Sequence, residues 1–246
     1  MSEKTPEYKN IPEFLDDLKK FDRTEMLKAA LISTKAMMFA RRALKLLKQR
    51  LDAKEIDEHL GLTFDAKDML RIDTPKGSLV IGSVKSNVYP TALNPLILID
   101  LGGDDIYRCK VGAGVRMKDD SLQMPGVAFH FDLAGDDYYS GNQNFNCGAG
   151  YCGVGISVDE DGNDVRRLGN LSAGAGLLGF GLLIDEAGKD IYEADCTAIG
   201  AGVYGWGALI DIHGDDKYDV NLFGQGFAYV WAAGLLYDSE GDDVYT

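Results

Sequence analysis

From Ile97 onward the apolar residues come in short runs that alternate with small ones, and each run ends on an aspartate. One, three and five places before Asp132 stand Phe131, Phe129 and Val127. The same places hold Val158, Ile156 and Val154 before Asp159, then Ile184, Leu182 and Phe180 before Asp185. Ile210, Ala208 and Trp206 precede Asp211, and Tyr237, Leu235 and Ala233 precede Asp238. Period two predicts strands with one apolar face. The opposite parity is nearly bare backbone: Gly155 and Gly153, Gly181 and Gly179, Gly207 and Gly205 stand four and six places upstream. Such a flat face is too large to stay wet. Either another strand of the same coil or a helix must pack closely on it.

Each run leads into one motif, Asp-x-x-Gly-(Asp)-Asp-x-Tyr, with copies beginning at Asp100, Asp132, Asp159, Asp185, Asp211 and Asp238. The starts lie 32, 27, 26, 26 and 27 residues apart, a period that marks stacked repeats. Twenty-six residues hold two or three short strands but leave no room for the crossover helix that ordinary parallel strands need. Stacked coils solve this. The expected fold is mainly β, a parallel β-solenoid (a right-handed β-helix) of about six to seven coils over residues 73–246. The Gly-Asp-Asp falls at a corner between strands, where Gly permits positive φ and Asp bonds nearby amides. Stacking should bring Tyr107, Tyr139, Tyr192, Tyr218 and Tyr245 into an aromatic ladder interrupted by Arg166, at about 4.8 Å per step. Gly82 to Tyr89 reads as a worn copy of the corner and as the first, capping coil.

Residues 1–72 form a different, helical segment that caps or covers the solenoid. Thr24 is a candidate N-cap for a helix over residues 24–55, with Leu27, Leu31, Met38, Ala43, Leu47 and Leu51 as its apolar stripe. Lys28, Lys35, Arg41, Arg42, Lys45, Lys48 and Arg50 make its polar side. A shorter helix is expected over 12–21. A basic helix of this kind lies on an anionic membrane, enters a partner's groove, or packs on its own chain as cover and counter-charge.

Charge sharpens that contrast. The net charge is −14. From Asp100 onward 25 acidic residues face 8 basic ones, leaving 14 and 17 in the first 99. An acidic array is a poor partner for nucleic acid and a natural one for cations. Cys109, Cys147, Cys152 and Cys196 form no Cys-x-x-Cys pair, which argues against zinc and for free buried thiols. The stretch from Ala36 to Ala40 is too short to span a bilayer. With no secretory leader, the chain as written is expected to be cytoplasmic, and extracellular if it is a mature form or a fragment. Gly148 to Gly153, Gly174 to Gly179 and Gly200 to Gly205 match the dinucleotide pattern G-x-G-x-x-G. They run on into strands and not into a helix, so the match carries no cofactor.

The aspartates remain. Stacked carboxylates repel by about 1 kcal/mol per neighbouring pair in water and more near protein. Either backbone amides occupy them or cations sit among them. Oxygen-only ligands suit calcium, and the candidate ligands are Asp100, Asp104 and Asp105; Asp132, Asp136 and Asp137; Asp185 and Asp190; Asp211, Asp215 and Asp216; and Asp238, Asp242 and Asp243. Gly103 to Tyr107, Gly135 to Tyr139, Gly214 to Tyr218 and Gly241 to Tyr245 resemble the second half of the repeats-in-toxin nonapeptide. That resemblance implies calcium on Asp105, Asp137, Asp216 and Asp243, although the family's period is nine residues. The longer unit resembles uncharacterised bacterial Gly-Asp-Asp-x-Tyr repeat proteins, a resemblance that implies no activity.

The leading reading is a non-enzymatic scaffold or binding protein with acidic, calcium-accepting corners. The alternative is a polysaccharide-active β-helix enzyme, which requires one cleft of unrepeated polar residues. A third reading is a membrane-peripheral assembly held by the basic helix. His130 and His213 fall at different repeat positions, which argues against a shared role. The coil from Asp159 to Arg166 is the one local asymmetry. Carbohydrate is a candidate ligand, and a second copy is a candidate partner at the coil from Asp211 to Tyr245, whose last strand lacks Pro or Lys gatekeepers.

Overall fold

The computed structural model describes residues 22–50, 65, 67–116, 125–140 and 143–246, without the side chains of 47–50. Helix α1 (Arg23–Arg50) comes first. The expected continuation to 55 and the helix at 12–21 lie outside the described residues. Strand β1 (Met69–Thr74) then runs antiparallel to β2 (Gly77–Gly82), and β3 (Val88–Tyr89) completes the first coil. The next coils are β4 (Ile97–Ile99), β5 (Ile106–Tyr107) and β6 (Gly114–Val115), then β7 (Val127–Asp132), β8 (Tyr138–Tyr139) and β9 (Gly150–Tyr151). They continue as β10 (Val154–Asp159), β11 (Val165–Leu168) and β12 (Gly176–Leu177), and as β13 (Phe180–Asp185), β14 (Ile191–Cys196) and β15 (Gly202–Val203). β16 (Trp206–Asp211), β17 (Lys217–Leu222) and β18 (Ala228–Tyr229) precede the pair β19 (Ala233–Asp238) and β20 (Val244–Tyr245).

Each coil adds one strand to each of three sheets. The first sheet orders β1-β2-β4-β7-β10-β13-β16-β19, the second β20-β17-β14-β11-β8-β5-β3 and the third β18-β15-β12-β9-β6. Every pairing after β1 is parallel, and the repeat aspartates stay in register, Asp132 on Asp159 on Asp185 on Asp211 on Asp238. The parallel β-solenoid read from the repeat is therefore the fold. The first and last coils carry only two of the three strands, so the complete turns number fewer than the six to seven expected.

The corners have two different chemistries. At the Gly-Asp-Asp corner Gly135 and Gly162 have φ of +139° and +150°, and a Cβ on either would land on the carbonyl of the glycine one coil away. Only glycine lets those coils stack. The other two corners use left-handed residues that are not glycine, at a period of 26: Phe145, Leu171, Thr197 and Phe223, and Cys152, Leu178, Tyr204 and Val230, with φ between 48° and 58°. That conformation costs about 1–2 kcal/mol per residue, and the ladders on both sides hold it in place.

The bare glycine face turns inward. A Cβ on Gly155, Gly181 or Gly207 would strike the carbonyl of Ala149, Ala175 or Ala201, so the first and third sheets touch backbone to backbone. Of the two expected covers, it is a strand of the solenoid, from the end of the preceding coil, and not the helix. The interior widens toward the second sheet, where Leu98, Leu183 and Leu209 meet Tyr107, Tyr192 and Tyr218. The apolar parity faces outward instead. Phe131, Val154, Ile156, Val158, Leu182 and Ile184 pack under Ala30 and Met37 of α1. Arg41 and Lys45 pair with Glu160 and Glu186, which supplies the expected counter-charge. The helix thus covers the flank of the stack and not its first coil. It is β1, with polar Arg71 and Asp73, that closes the edge of β2. At the other end Leu235, Tyr237, Val244 and Tyr245 are about half exposed.

Candidate functional site

The inward parity of the first sheet carries the first aspartate of each repeat, so that residue enters the interior. Asp100, Asp132, Asp159, Asp185 and Asp211 are at most 1% exposed. The last aspartate of each corner, Asp105, Asp137, Asp164, Asp190 and Asp216, is equally buried. The middle one points to solvent, as Asp104, Asp136, Asp215 and Asp242 do. The three-aspartate corner of the sequence is therefore split by burial. Carboxylate oxygens approach within 4.8 Å in the groups Asp100/Asp105/Asp132, Asp132/Asp137/Asp159, Asp159/Asp164/Asp185, Asp185/Asp190/Asp211 and Asp216/Asp238/Asp243. Asp104, Asp136, Asp215 and Asp242 join none of them. Asp159 and Asp164 were missed because their corner is degenerate, yet they stand where Asp132 and Asp137 stand one repeat earlier.

Backbone amides occupy one oxygen of each inner corner aspartate. The amides of Asp105, Asp137, Asp164 and Asp190 donate to Oδ1 of Asp137, Asp164, Asp190 and Asp216, at 2.7–2.8 Å. The outer residues repeat the device, with the amides of Asp136, Asn163 and Lys189 bonded to Asp104, Asp136 and Asn163. Tyrosine hydroxyls take the first aspartates. Tyr139 donates to Asp159 at 2.9 Å, Tyr192 to Asp211 at 2.9 Å and to Asp185 at 3.1 Å, and Tyr218 to Asp211 at 2.9 Å. Their rings stack at 4.6–5.0 Å, and Tyr89 from the worn copy joins Tyr107 and Tyr139.

Arg166 fills the gap in that ladder. Its guanidinium lies between the rings of Tyr139 and Tyr192, 4.9 and 5.0 Å from their centroids. One nitrogen contacts Asp159, Asp164 and Asp185 at 2.7–2.8 Å. A residue that reads as a defect in the repeat is the counter-ion of its middle coil.

One guanidinium does not offset the whole column: burial keeps Asp164 and Asp185 well above the carboxylate range even beside Arg166, and elsewhere the like charges have no such partner, where burying them unpaired is prohibitive. Their protonation responds. Burial, then the charge of Asp159, pushes Asp132 up to about 7; burial and Asp185 push Asp190 to about 8. Burial and Asp216 raise Asp211 to about 7, and burial carries Asp105 and Asp216 to about 6. Asp100 and Asp137 stand well above the carboxylate range for the same reason, their neighbour Asp132 adding to burial. Asp159 goes the other way: burial opposes its charge most strongly, but Arg166 together with the hydrogen bonds to Asp164 and Tyr139 holds the carboxyl below its usual value.

Six buried carboxylate oxygens, on Asp137, Asp159, Asp190, Asp211, Asp216 and Asp238, still meet no donor among the described residues. In kind they fit a hard cation. In number, three carboxylates fall short of the six to eight oxygens calcium takes.

The histidines separate as their positions foretold. His130 is buried, 2.8 Å from Ser157 Oγ, and burial lowers its pKa to about 3; His213 is exposed beside Glu240. The pair His130 and Ser157 has no path to substrate. Cys109, Cys147, Cys152 and Cys196 are free thiols, and burial pushes the first two up to about 12. A shallow hollow of about 290 Å³ at the outer corner is lined by Asp104, Asp136, Asp161 and Asn163 with glycines between them, all members of the repeat. No model of a known protein family matches the chain, nor does any curated protein or solved structure.

Proposed function

We propose that this chain is a non-enzymatic scaffold, a rod whose polar chemistry is turned inward to hold its coils in register. The observation that carries this reading is the equivalence of the coils: the same carboxyl, amide and tyrosine contacts recur, and of the polar departures described, Arg166 is consumed by three aspartates and His130 is buried against Ser157. An enzyme would set unrepeated polar groups around a cleft. Incubation of the protein with uronate and neutral polysaccharides, followed by size analysis and absorbance of unsaturated products, tests this; chain shortening or new unsaturation would overturn it. Binding of intact glycan, without turnover, is compatible with a scaffold that presents its outer corner.

Calcium in the inner groups is the second reading, supported by the donorless oxygens of Asp137, Asp190, Asp211 and Asp216. Ligand linkage would raise stability by about 3–4 kcal/mol per site at a few hundred times Kd. Identical melting in chelator and in millimolar calcium would remove it and leave protons as the neutralising species. The half-exposed Leu235, Tyr237 and Val244 on the last coil suit a cover there, either a second copy or continuing sequence, and sedimentation across the micromolar range tests the first.

A further inference from the structure

Helix α1 has two apolar sides, and the sheet uses one. Opposite the buried Ala30 and Met37, Ile32 is 67% exposed and Phe39 78% exposed, while Leu27, Leu31, Met38 and Leu46 are each about half exposed. At 100° per residue these six fall on both flanks of a line drawn by Lys28, Lys35 and Arg42, seven residues apart and all exposed. Beside this line, Met38, Arg42 and Leu46 border an open hollow of about 320 Å³ whose floor holds Arg41, Lys45 and Glu186. Arg41 and Lys45 are committed to Glu160 and Glu186. Lys35 and Arg42 are not drawn toward the solenoid in this way.

We infer that the outward face of α1 rests in the plane of an anionic lipid surface. Three features favour lipid over a protein groove. The face is a single convex helix. Its apolar residues are split by a basic line and form no continuous seam of the kind a partner helix would interlock with. Long basic side chains between apolar ones are what an in-plane helix presents, the stems lying among acyl chains and the charged ends reaching phosphates. Among the described residues no helix is long and apolar enough to cross a membrane, which agrees with lying on the surface. The acidic corner row, Asp104 and Asp136 among it, is exposed and opposes a close approach on its own side, so the basic line of α1 must supply the attraction, which salt screens.

The test is flotation of the full chain with vesicles of phosphatidylcholine alone and with about a third phosphatidylglycerol. Three basic side chains near such a surface are worth on the order of a hundredfold in partition. The expected result is binding to the anionic vesicles at low ionic strength, lost in the neutral ones and at high salt. Phe39→Glu should lower partition about tenfold, and Lys35→Glu with Arg42→Glu should abolish it. Circular dichroism identical to wild type keeps these variants interpretable, since none of the three side chains is buried. Equal partition into both vesicle types, no partition at low salt, or an unaffected Phe39→Glu protein would overturn the inference. So would a dimer in solution that Phe39→Glu converts to monomer without any vesicle binding, which would assign the face to a second copy.

Discussion

Arg166→Met tests whether the buried aspartates are held by one built-in cation. Methionine keeps much of the side-chain volume and removes the charge that contacts Asp159, Asp164 and Asp185 at 2.7–2.8 Å. Breaking a buried ion pair from one side costs about 3–5 kcal/mol; of the three carboxyls only Asp159 is held below its usual value, while burial raises Asp164 and Asp185, so a value within that range is expected at pH 8. The loss must also depend on pH. In the wild type Asp159 is held below its usual pKa, so its stabilising contribution is present above the unfolded value and fades only as pH falls through the folded one. Without Arg166, burial acts alone and raises that pKa above the unfolded value; the site is then tolerated at low pH and becomes costly as pH climbs. The two proteins differ by one bound proton over the interval, which narrows their gap by about 1.4 kcal/mol per pH unit from pH 8 toward pH 5. Urea unfolding of both proteins by circular dichroism, at matched m-values across that range, measures the gap. Arg166→Tyr should cost less, because it restores the ring stack and a hydroxyl donor. A gap that stays constant with pH, or a neutral Arg166→Met at pH 8, would show that Arg166 is not the counter-ion.

The remaining expectations are independent of that variant. Wild-type stability should rise as pH falls from 8 to 5, because Asp190, Asp132 and Asp211 keep protons to about 8, 7 and 7 when folded that the unfolded chain has released. Each retained proton contributes about 1.4 kcal/mol per pH unit, and a melting temperature highest at pH 7–8 would contradict it. Gly181→Val places a branched side chain against the carbonyl of Ala175 and should cost about 3 kcal/mol or more; a near-neutral result in denaturant melts would mean the two sheets are not in backbone contact. Thr197 is β-branched at a φ of 53°, so Thr197→Asn, which tolerates that conformation, should gain about 0.5–1 kcal/mol. A lower melting temperature would show that the Thr197 side chain matters more than the strain.

Much of the fold was readable in the chain because a solenoid repeats its local instructions. Period-two alternation marks the strands of the first sheet, the 26- and 27-residue spacing stacks them, and Gly135 and Gly162 mark corners that admit no side chain. The tyrosine ladder and its interruption at Arg166 follow from register alone. The two other corners are harder to read, because beside the left-handed Gly148, Gly174 and Gly200 stand Phe145, Leu171 and Tyr204 in the same region, bulky types that rarely adopt it. Local preference there is overruled by hydrogen bonds to the coils on either side.

The sequence by itself determined the repeat, its register and the set of aspartates. Only the tertiary structure decided which side of each strand is inside. Hydrophobicity does not decide it, since large apolar residues such as Phe129, Ile156 and Leu182 face α1, while glycine, aspartate and tyrosine share the interior with Leu98, Leu183 and Leu209. The reason is geometric: where the first sheet lies against the backbone of the third, there is no room for a side chain, and where the interior widens, a tyrosine that reaches an aspartate fills it. That same choice separates Asp100 and Asp105 from Asp104 within one corner of three acidic residues. It turns a row that reads as one acidic corner into a buried column of carboxyls gathered around Arg166, with Asp104 and its equivalents left outside.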